Sequence, residues 1–363
     1  MAGMPTLTMV RIATPPLVAL PARARHGAIA AWLFAVCGLI ALMVSVGGVT
    51  RLTASGLSIV EWKPLAGTLP PLSDAAWARE FAAYRTSPQY VLANRGMSLA
   101  AFQGIYWWEY AHRLLGRVIG LAFALPLAWF ALRRAIPRGY ALRLGVLLLL
   151  GGMQGGVGWL MVASGLTPGR TSVEPRMLAA HLLAALTLFG VVLWTALDMR
   201  AAAQAHPLRL AKAGFGALRV RASRTWIAPM FVLLALQLLL GAFTAGLHAG
   251  HASDTWPLMT GTLVPTLAPL SGWWNDPFTV QFAHRTLAWA VAAGALFVEW
   301  RAWHSGAGWR ARAVGVAVSA QFVLGVLTIV WRVPVAIAAL HQSGAVLLLA
   351  SLVALAHWSS HRA

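Results

Sequence analysis

Tyr106-Trp107-Trp108-Glu109-Tyr110-Ala111-His112-Arg113 stands near the start of an apolar run over 104–132. A run of that length crosses a bilayer core, which takes about 20 mostly apolar residues. Here it carries an acid, an imidazole and a guanidinium, groups whose burial without partners costs several kcal/mol, so they mark a functional site within the membrane. A second run, 279–300, spells the same phrase with one exchange: Gln281-Phe282-Ala283-His284-Arg285.

Working outward, six further runs qualify as spans, near 28–50, 143–163, 177–198, 226–248, 313–331 and 335–357. Hydrophobic residues make up 59% of the chain and charged ones 10%, where a soluble protein has nearer a quarter charged. The repeat continues beyond the histidine runs. Trp62-Lys63-Pro64-Leu65-Ala66-Gly67-Thr68-Leu69 matches Trp256-Pro257-Leu258-Met259-Thr260-Gly261-Thr262-Leu263 with one deletion, Gln154 and Gly158 match Gln321 and Gly325, and His181 matches His341. Four spans therefore repeat as four spans, and an even number per unit keeps both copies in one orientation. The expected fold is an all-α integral membrane protein of eight transmembrane helices, arranged as two pseudo-symmetric four-helix bundles over 28–198 and 226–357. A tail (1–27), a long outer loop (51–103), a basic linker (199–225) and a short C-terminal tail (358–363) complete the expected organisation.

The net charge of +19, from 28 basic and 9 acidic residues, reads as topology. With both termini in the cytoplasm, 17 of the 28 basic residues fall on the inner side, among them Arg133, Arg134, Arg138, Arg143, Arg200, Lys212 and Arg310. Six of the nine acids (Glu61, Asp74, Glu80, Glu174, Asp254, Asp276) fall in outer loops. This asymmetry fixes the orientation and makes membrane lipid, not nucleic acid, the partner of the basic residues. The N-terminal tail holds Arg11, Arg23 and Arg25 without a clear cleavage site before the first span, so it reads as cytoplasmic. Within 51–103, Ser73-Asp74 followed by Trp77, Phe81 and Tyr84 predicts a capped amphipathic helix on the membrane surface, placed to roof a site below it. Cys37 is the only cysteine, so a cysteine-based metal site cannot form within the chain.

His112, His181, His284 and His341 lie at similar depth, each one to two turns from the outer end of its span. Within each half the two histidine-bearing helices are separated by one returning helix, so the pair can ligate one haem iron from opposite sides. The alternative is a set of core histidines bonded to carbonyls or lining a proton path. Arg113 and Arg285, which follow their histidines, and Arg117 one turn on, have the chemistry to pair with haem propionates, or else to snorkel or pair with an acid. The halves differ at one telling position, where Glu109 faces Gln281 in the alignment. Glu109 shares a helix face with His112, within reach of the edge of a haem bound there. It is suited to act as a base or to stabilise developing positive charge, unless it simply pairs with Arg113 or Arg117.

Together with Gly47-Gly48-Val49-Thr50-Arg51-Leu52-Thr53, Ser55-Gly56-Leu57-Ser58 and Glu61-Trp62-Lys63-Pro64, the run from Tyr106 to Arg113 resembles haem A synthase of the proteobacterial and mitochondrial type, over about residues 30–357. The resemblance implies an oxidoreductase of the bacterial inner (cytoplasmic) membrane that converts the carbon-8 methyl group of haem O to the formyl group of haem A, through a hydroxymethyl stage. Water would supply the oxygen, an unspecified acceptor would take the electrons, and the product would serve terminal oxidases. It implies substrate haem on His112 and His181, a catalytic Glu109, and permanent haem B on His284 and His341. It also implies contact with the prenyltransferase that makes haem O, and leaves a homo-oligomer open. Some members carry a cysteine pair in the first outer loop, which this chain lacks. Two rivals remain: a diheme transmembrane electron-transfer cytochrome, and a haem-binding or export module in which Glu109 has no part.

Overall fold

The computed structural model describes residues 22–63, 66–204, 226–269 and 271–361. Among these, ten α-helices form: α1 (Ala22–Leu52), α2 (Asp74–Arg85), α3 (Pro88–Leu92), α4 (Leu99–Leu132), α5 (Ala141–Gly165), α6 (Pro175–Gln204), α7 (Ala228–Gly246), α8 (Pro277–His304), α9 (Trp309–Val330) and α10 (Val335–His361). The helix starts are written in the sequence. Ser98 Oγ accepts from Ala101 N at the head of α4, Glu174 from Met177 N at α6, and Asp276 from Thr279 N at α8, where Pro277 takes the first helical position.

Among the described residues, seven helices are long and apolar enough to cross a membrane: α1, α4, α5, α6, α7, α9 and α10. The eight expected spans thus resolve into these seven and α8, which has 28 residues but carries Gln281, His284, Arg285, Glu299 and Arg301. These polar groups lower its hydropathy, and it packs between α7 and α9. Helices also overrun the expected tails, since α1 reaches back to Ala22 and α10 continues to His361. The rest of the N-terminal tail and the linker beyond Gln204 lie outside the described residues.

α1 is central, packed against α4, α6 and α10; α6 also touches α5 and α7, and α7, α8, α9 and α10 pack in sequence. The interior is built from Leu33 and Val36 of α1, Val192 of α6, Val298 of α8, Val314 of α9 and Leu352 of α10. Ala196, Ala295, Ala302 and Ala311 are fully buried. Small residues let backbones approach where lipid removes the hydrophobic drive between helices and packing must hold them. Leu125, Leu132, Leu149 and Val316 point outward.

The capped helix expected after Ser73 is α2, with Ser73 Oγ accepting from Ala76 N at 3.3 Å. Its aromatic face is spent on protein: Trp77 meets Tyr106 edge-on at 5.0 Å, and Tyr84 stacks on Phe102 at 5.2 Å. Tyr84 and Phe102 are fully buried. α2 is therefore fastened to the first turns of α4, directly above Glu109.

Candidate haem-binding site

The four histidines sit on α4, α6, α8 and α10, and each ring lies against a glycine of a neighbouring helix. His112 meets Gly47 of α1, His181 meets Gly158 of α5, His284 meets Gly241 of α7 and His341 meets Gly325 of α9. A methyl group on these glycines would come within 2.9, 2.9, 3.1 and 3.0 Å of the respective rings, so only glycine leaves the imidazoles where they stand. One turn before three of these glycines is a glutamine whose amide donates to the carbonyl of the histidine itself. Gln154 reaches His181 O at 2.7 Å, Gln237 reaches His284 O at 3.1 Å and Gln321 reaches His341 O at 2.7 Å. The fourth position is Met43, whose methyl group packs at Gly116, one turn after His112.

His284 and His341 face each other with ring centroids 6.5 Å apart and planes nearly perpendicular. Two metal–nitrogen bonds of about 2 Å plus the half-widths of two imidazoles come to roughly that distance, so the gap has the span of one ligated ion. His341 Nδ1 lies 3.1 Å from the Gln321 carbonyl; a proton there leaves Nε2 open to a metal. His284 meets the backbone of Gln237 in the same way. Arg285 donates through Nη2 to the carbonyls of Thr255, Pro257 and Leu258, while its Nη1 is buried with none. Two imidazoles facing each other across this gap beside a buried guanidinium left partly unsatisfied fit a bound haem, the rings having the spacing to take iron and Arg285 the chemistry to take a propionate.

Around His112 the arrangement is different. Glu109 is 2% exposed and saturated with donors. One oxygen accepts from Ser58 Oγ (2.7 Å) and Ile59 N (2.9 Å), the other from Arg113 Nε (3.1 Å) and Nη2 (2.6 Å). Arg113 donates further to the carbonyls of Ile59 and Glu61. The pairing of Glu109 with Arg113, open as an alternative in the sequence, is formed, and Arg113 divides its donors between Glu109 and the loop carbonyls. Gln281, at the matching place, turns its amide to the carbonyls of Gly250 and Ser253. Acid and amide thus each suit the loop above them, which offers N–H and O–H to the one and carbonyls to the other.

Arg117 donates to Lys63 O, and Lys63 pairs with Glu61 (2.7 Å) and Glu80 of α2 (3.1 Å). The hydrogen bond to Glu61, then that to Glu80, hold the Lys63 ammonium above its usual pKa. A cavity of about 260 Å³ opens here, bordered by Arg79, Tyr110, Arg113 and Arg117.

Each histidine singled out in the sequence therefore lies in a built setting, and Glu109 and Arg113 come together beside His112. Gln237 and Gly241 were not singled out, and Gly47 was named only within a longer run, not as the neighbour of a histidine. The signal was present, since Gln-x-x-x-Gly occurs at 154–158, 237–241 and 321–325, and Met43 to Gly47 keeps only its glycine.

Known proteins carry the same arrangement of sequence. The family model described as cytochrome oxidase assembly protein matches residues 30–353. The heme A synthase of Sphingopyxis alaskensis is 47% identical over 341 residues, 92% of this chain and 92% of its own. That of Parvibaculum lavamentivorans is 45% identical over 345 residues, covering 93% and 95%, and that of a Caulobacter species is 45% identical over 337 residues, covering 90% and 94%. By a family match across nearly its whole length and relatives of this identity, the chain belongs to the cytochrome oxidase assembly protein family that includes the heme A synthases.

Proposed function

We propose that this chain is a haem A synthase, an oxidoreductase that takes haem O as substrate and oxidises its methyl substituent to the formyl group of haem A through a hydroxymethyl stage. Water supplies the oxygen and electrons leave to an acceptor. Substrate haem is held by His112 and His181, and a resident haem B by His284 and His341; when bound, that haem B supplies a one-electron relay. α8 counts as the eighth span, the helices before and after the linker form two related bundles, and both termini face the cytoplasm of a bacterial inner membrane. The prenyltransferase that makes haem O is the natural supplier of substrate.

The observation that carries the division of labour is the fourth brace. Three histidines have their backbone carbonyls tied by a glutamine amide, and the C-terminal pair is braced on both sides. His112 has a methionine there, so one ligand of the N-terminal pair is free to shift, as an exchangeable haem requires and a permanent one does not. Above it, Glu109 accepts from four donors and lies one turn before His112, the histidine that would hold the substrate haem. Its charge stabilises positive charge developing there, or takes up the proton released. α1 links the halves, since Gly47 touches His112 and Gly48 touches Gln342, next to His341, while Gln342 donates to Val44 O at 2.8 Å. These contacts join His112 of the first half to the neighbour of His341 in the second.

Extraction of the haems from protein purified after expression with a source of haem O tests the reading. Haem B together with haem O or haem A is expected; two equivalents of haem B alone would make the chain a diheme electron carrier instead. Met43→Gln, which restores the missing brace, is expected to raise the haem O and haem A retained per protein and to slow turnover, measured by the same chromatography. Unchanged retention would remove the brace as the cause of exchange.

A further inference from the structure

At the end of the helices opposite the four histidines, Asp198 of α6 faces His357 and His361 of α10. His357 Nε2 lies 3.1 Å from Asp198 Oδ1, and His361 Nε2 lies 4.0 Å from the same oxygen. One donor atom from each residue fits within 4.8 Å of the others. The two histidines are four residues apart, on one face of the helix, with rings stacked at 4.2 Å.

Several features make this more than a chance approach of three side chains. His361 Nδ1 sits 2.9 Å from the His357 carbonyl, a bond that puts the proton on Nδ1 and leaves Nε2 as a lone-pair donor. Arg143 of α5 holds the other carboxylate oxygen at 2.8 Å, orienting Asp198 with Oδ1 turned toward the histidines. Trp194 stands edge-on to His357 at 5.2 Å and helps bury it, whereas the His361 side chain is half exposed and open to an ion from solution. Nothing in the proposed reaction uses these residues.

We propose that Asp198, His357 and His361 form a binding site for a divalent first-row transition cation of the zinc type, clipping α6 to α10 across the seam between the N-terminal and C-terminal helices. Two imidazoles and a carboxylate are an intermediate ligand set that suits such cations better than calcium or magnesium. With metal–ligand bonds of about 2 Å, a tetrahedral ion puts its ligand atoms roughly 3.3 Å apart. The Asp198–His357 spacing of 3.1 Å is close to that value, and a rotation of the half-exposed His361 ring closes the remainder. Water completes the coordination, as in an open three-ligand site.

The test uses the full-length, haem-loaded protein in detergent, washed with chelator and titrated with zinc chloride by calorimetry and with cobalt chloride by visible absorption. The expected result is a saturable site with tetrahedral cobalt bands. His361→Ala weakens it by more than the roughly tenfold that loss of an outer-shell partner alone costs, leaving haem content and helicity unchanged. His304→Ala, an exposed histidine at the same end, leaves it intact. Binding that survives His361→Ala, or the lack of a saturable site in the unaltered protein, overturns the proposal. Should Asp198→Asn or His357→Ala fail to fold, His361→Ala still decides, because its ring is not part of the core.

Discussion

Protein carrying His284→Ala is expected to lose essentially all of its low-spin haem B signal, while His112→Ala keeps that signal and loses only the haem O and haem A that co-purify. The expectation rests on the unequal holding of the two pairs. His284 and His341 face each other at 6.5 Å, each against a glycine and each with its carbonyl tied by a glutamine. Removing one imidazole would leave a haem held there with a single protein ligand to its iron and opens a void in a tightly packed place. Both ligation and packing are lost, so haem B content should fall by more than tenfold, whereas the other half is built from different helices and keeps its own histidines. Pyridine haemochrome spectra and reduced-minus-oxidised difference spectra read the two contents separately. Equal loss of haem B in both variants would mean that the halves do not divide the work, and loss in His112→Ala alone would reverse the assignment.

The long helices, the four buried histidines and the acid-for-amide exchange were legible because each is a matter of composition or of position along one helix. Eight runs of apolar residues announce helices whatever they pack against, and Ser73, Ser98 and Asp276 mark starts through side-chain chemistry that acts within one turn. Two things were not legible. The first is the partner of a group: Arg113 had equal claim to a propionate or to an acid, and only the fold of the loop at Ser58–Glu61 onto α4 gives its guanidinium to Glu109. The second is the meaning of Gln154 and Gln321, which repeat in the sequence but act on carbonyls in another helix. Met43 becomes informative only once Gln237 is seen doing the same. Likewise α2 was expected as a surface helix from its own amphipathicity. That it spends its aromatic side on Phe102 and Tyr106 is a property of two segments together.

Glu109→Gln is expected to reduce haem A formation by about 10²-fold or more, the scale of a lost general base or charge stabiliser, with haem B content unchanged. The structure makes this a demanding experiment, because the carboxylate also anchors the loop. All four of its contacts are donors, two from Arg113 and one each from Ser58 and Ile59. An amide keeps one accepting oxygen and turns its NH₂ toward donors, and breaking a buried charge pair on one side costs about 3–5 kcal/mol. The matching Gln281 escapes that cost only because its loop presents the carbonyls of Gly250 and Ser253. Some destabilisation must therefore accompany the change whether or not Glu109 acts on substrate, and activity alone does not separate the two roles. Ser58→Ala does, since it removes one donor and loosens the loop while the carboxylate and its arginine stay. If Glu109 works on the substrate haem, Ser58→Ala retains most haem A output at a lowered thermal midpoint, and Glu109→Gln loses output far out of proportion to its own fall in midpoint. Should the two variants lose activity in step with their midpoints, Glu109 is an anchor for the roof and the chemistry belongs elsewhere. Should Glu109→Gln leave haem A output intact, the proposed catalytic role of the carboxylate is refuted.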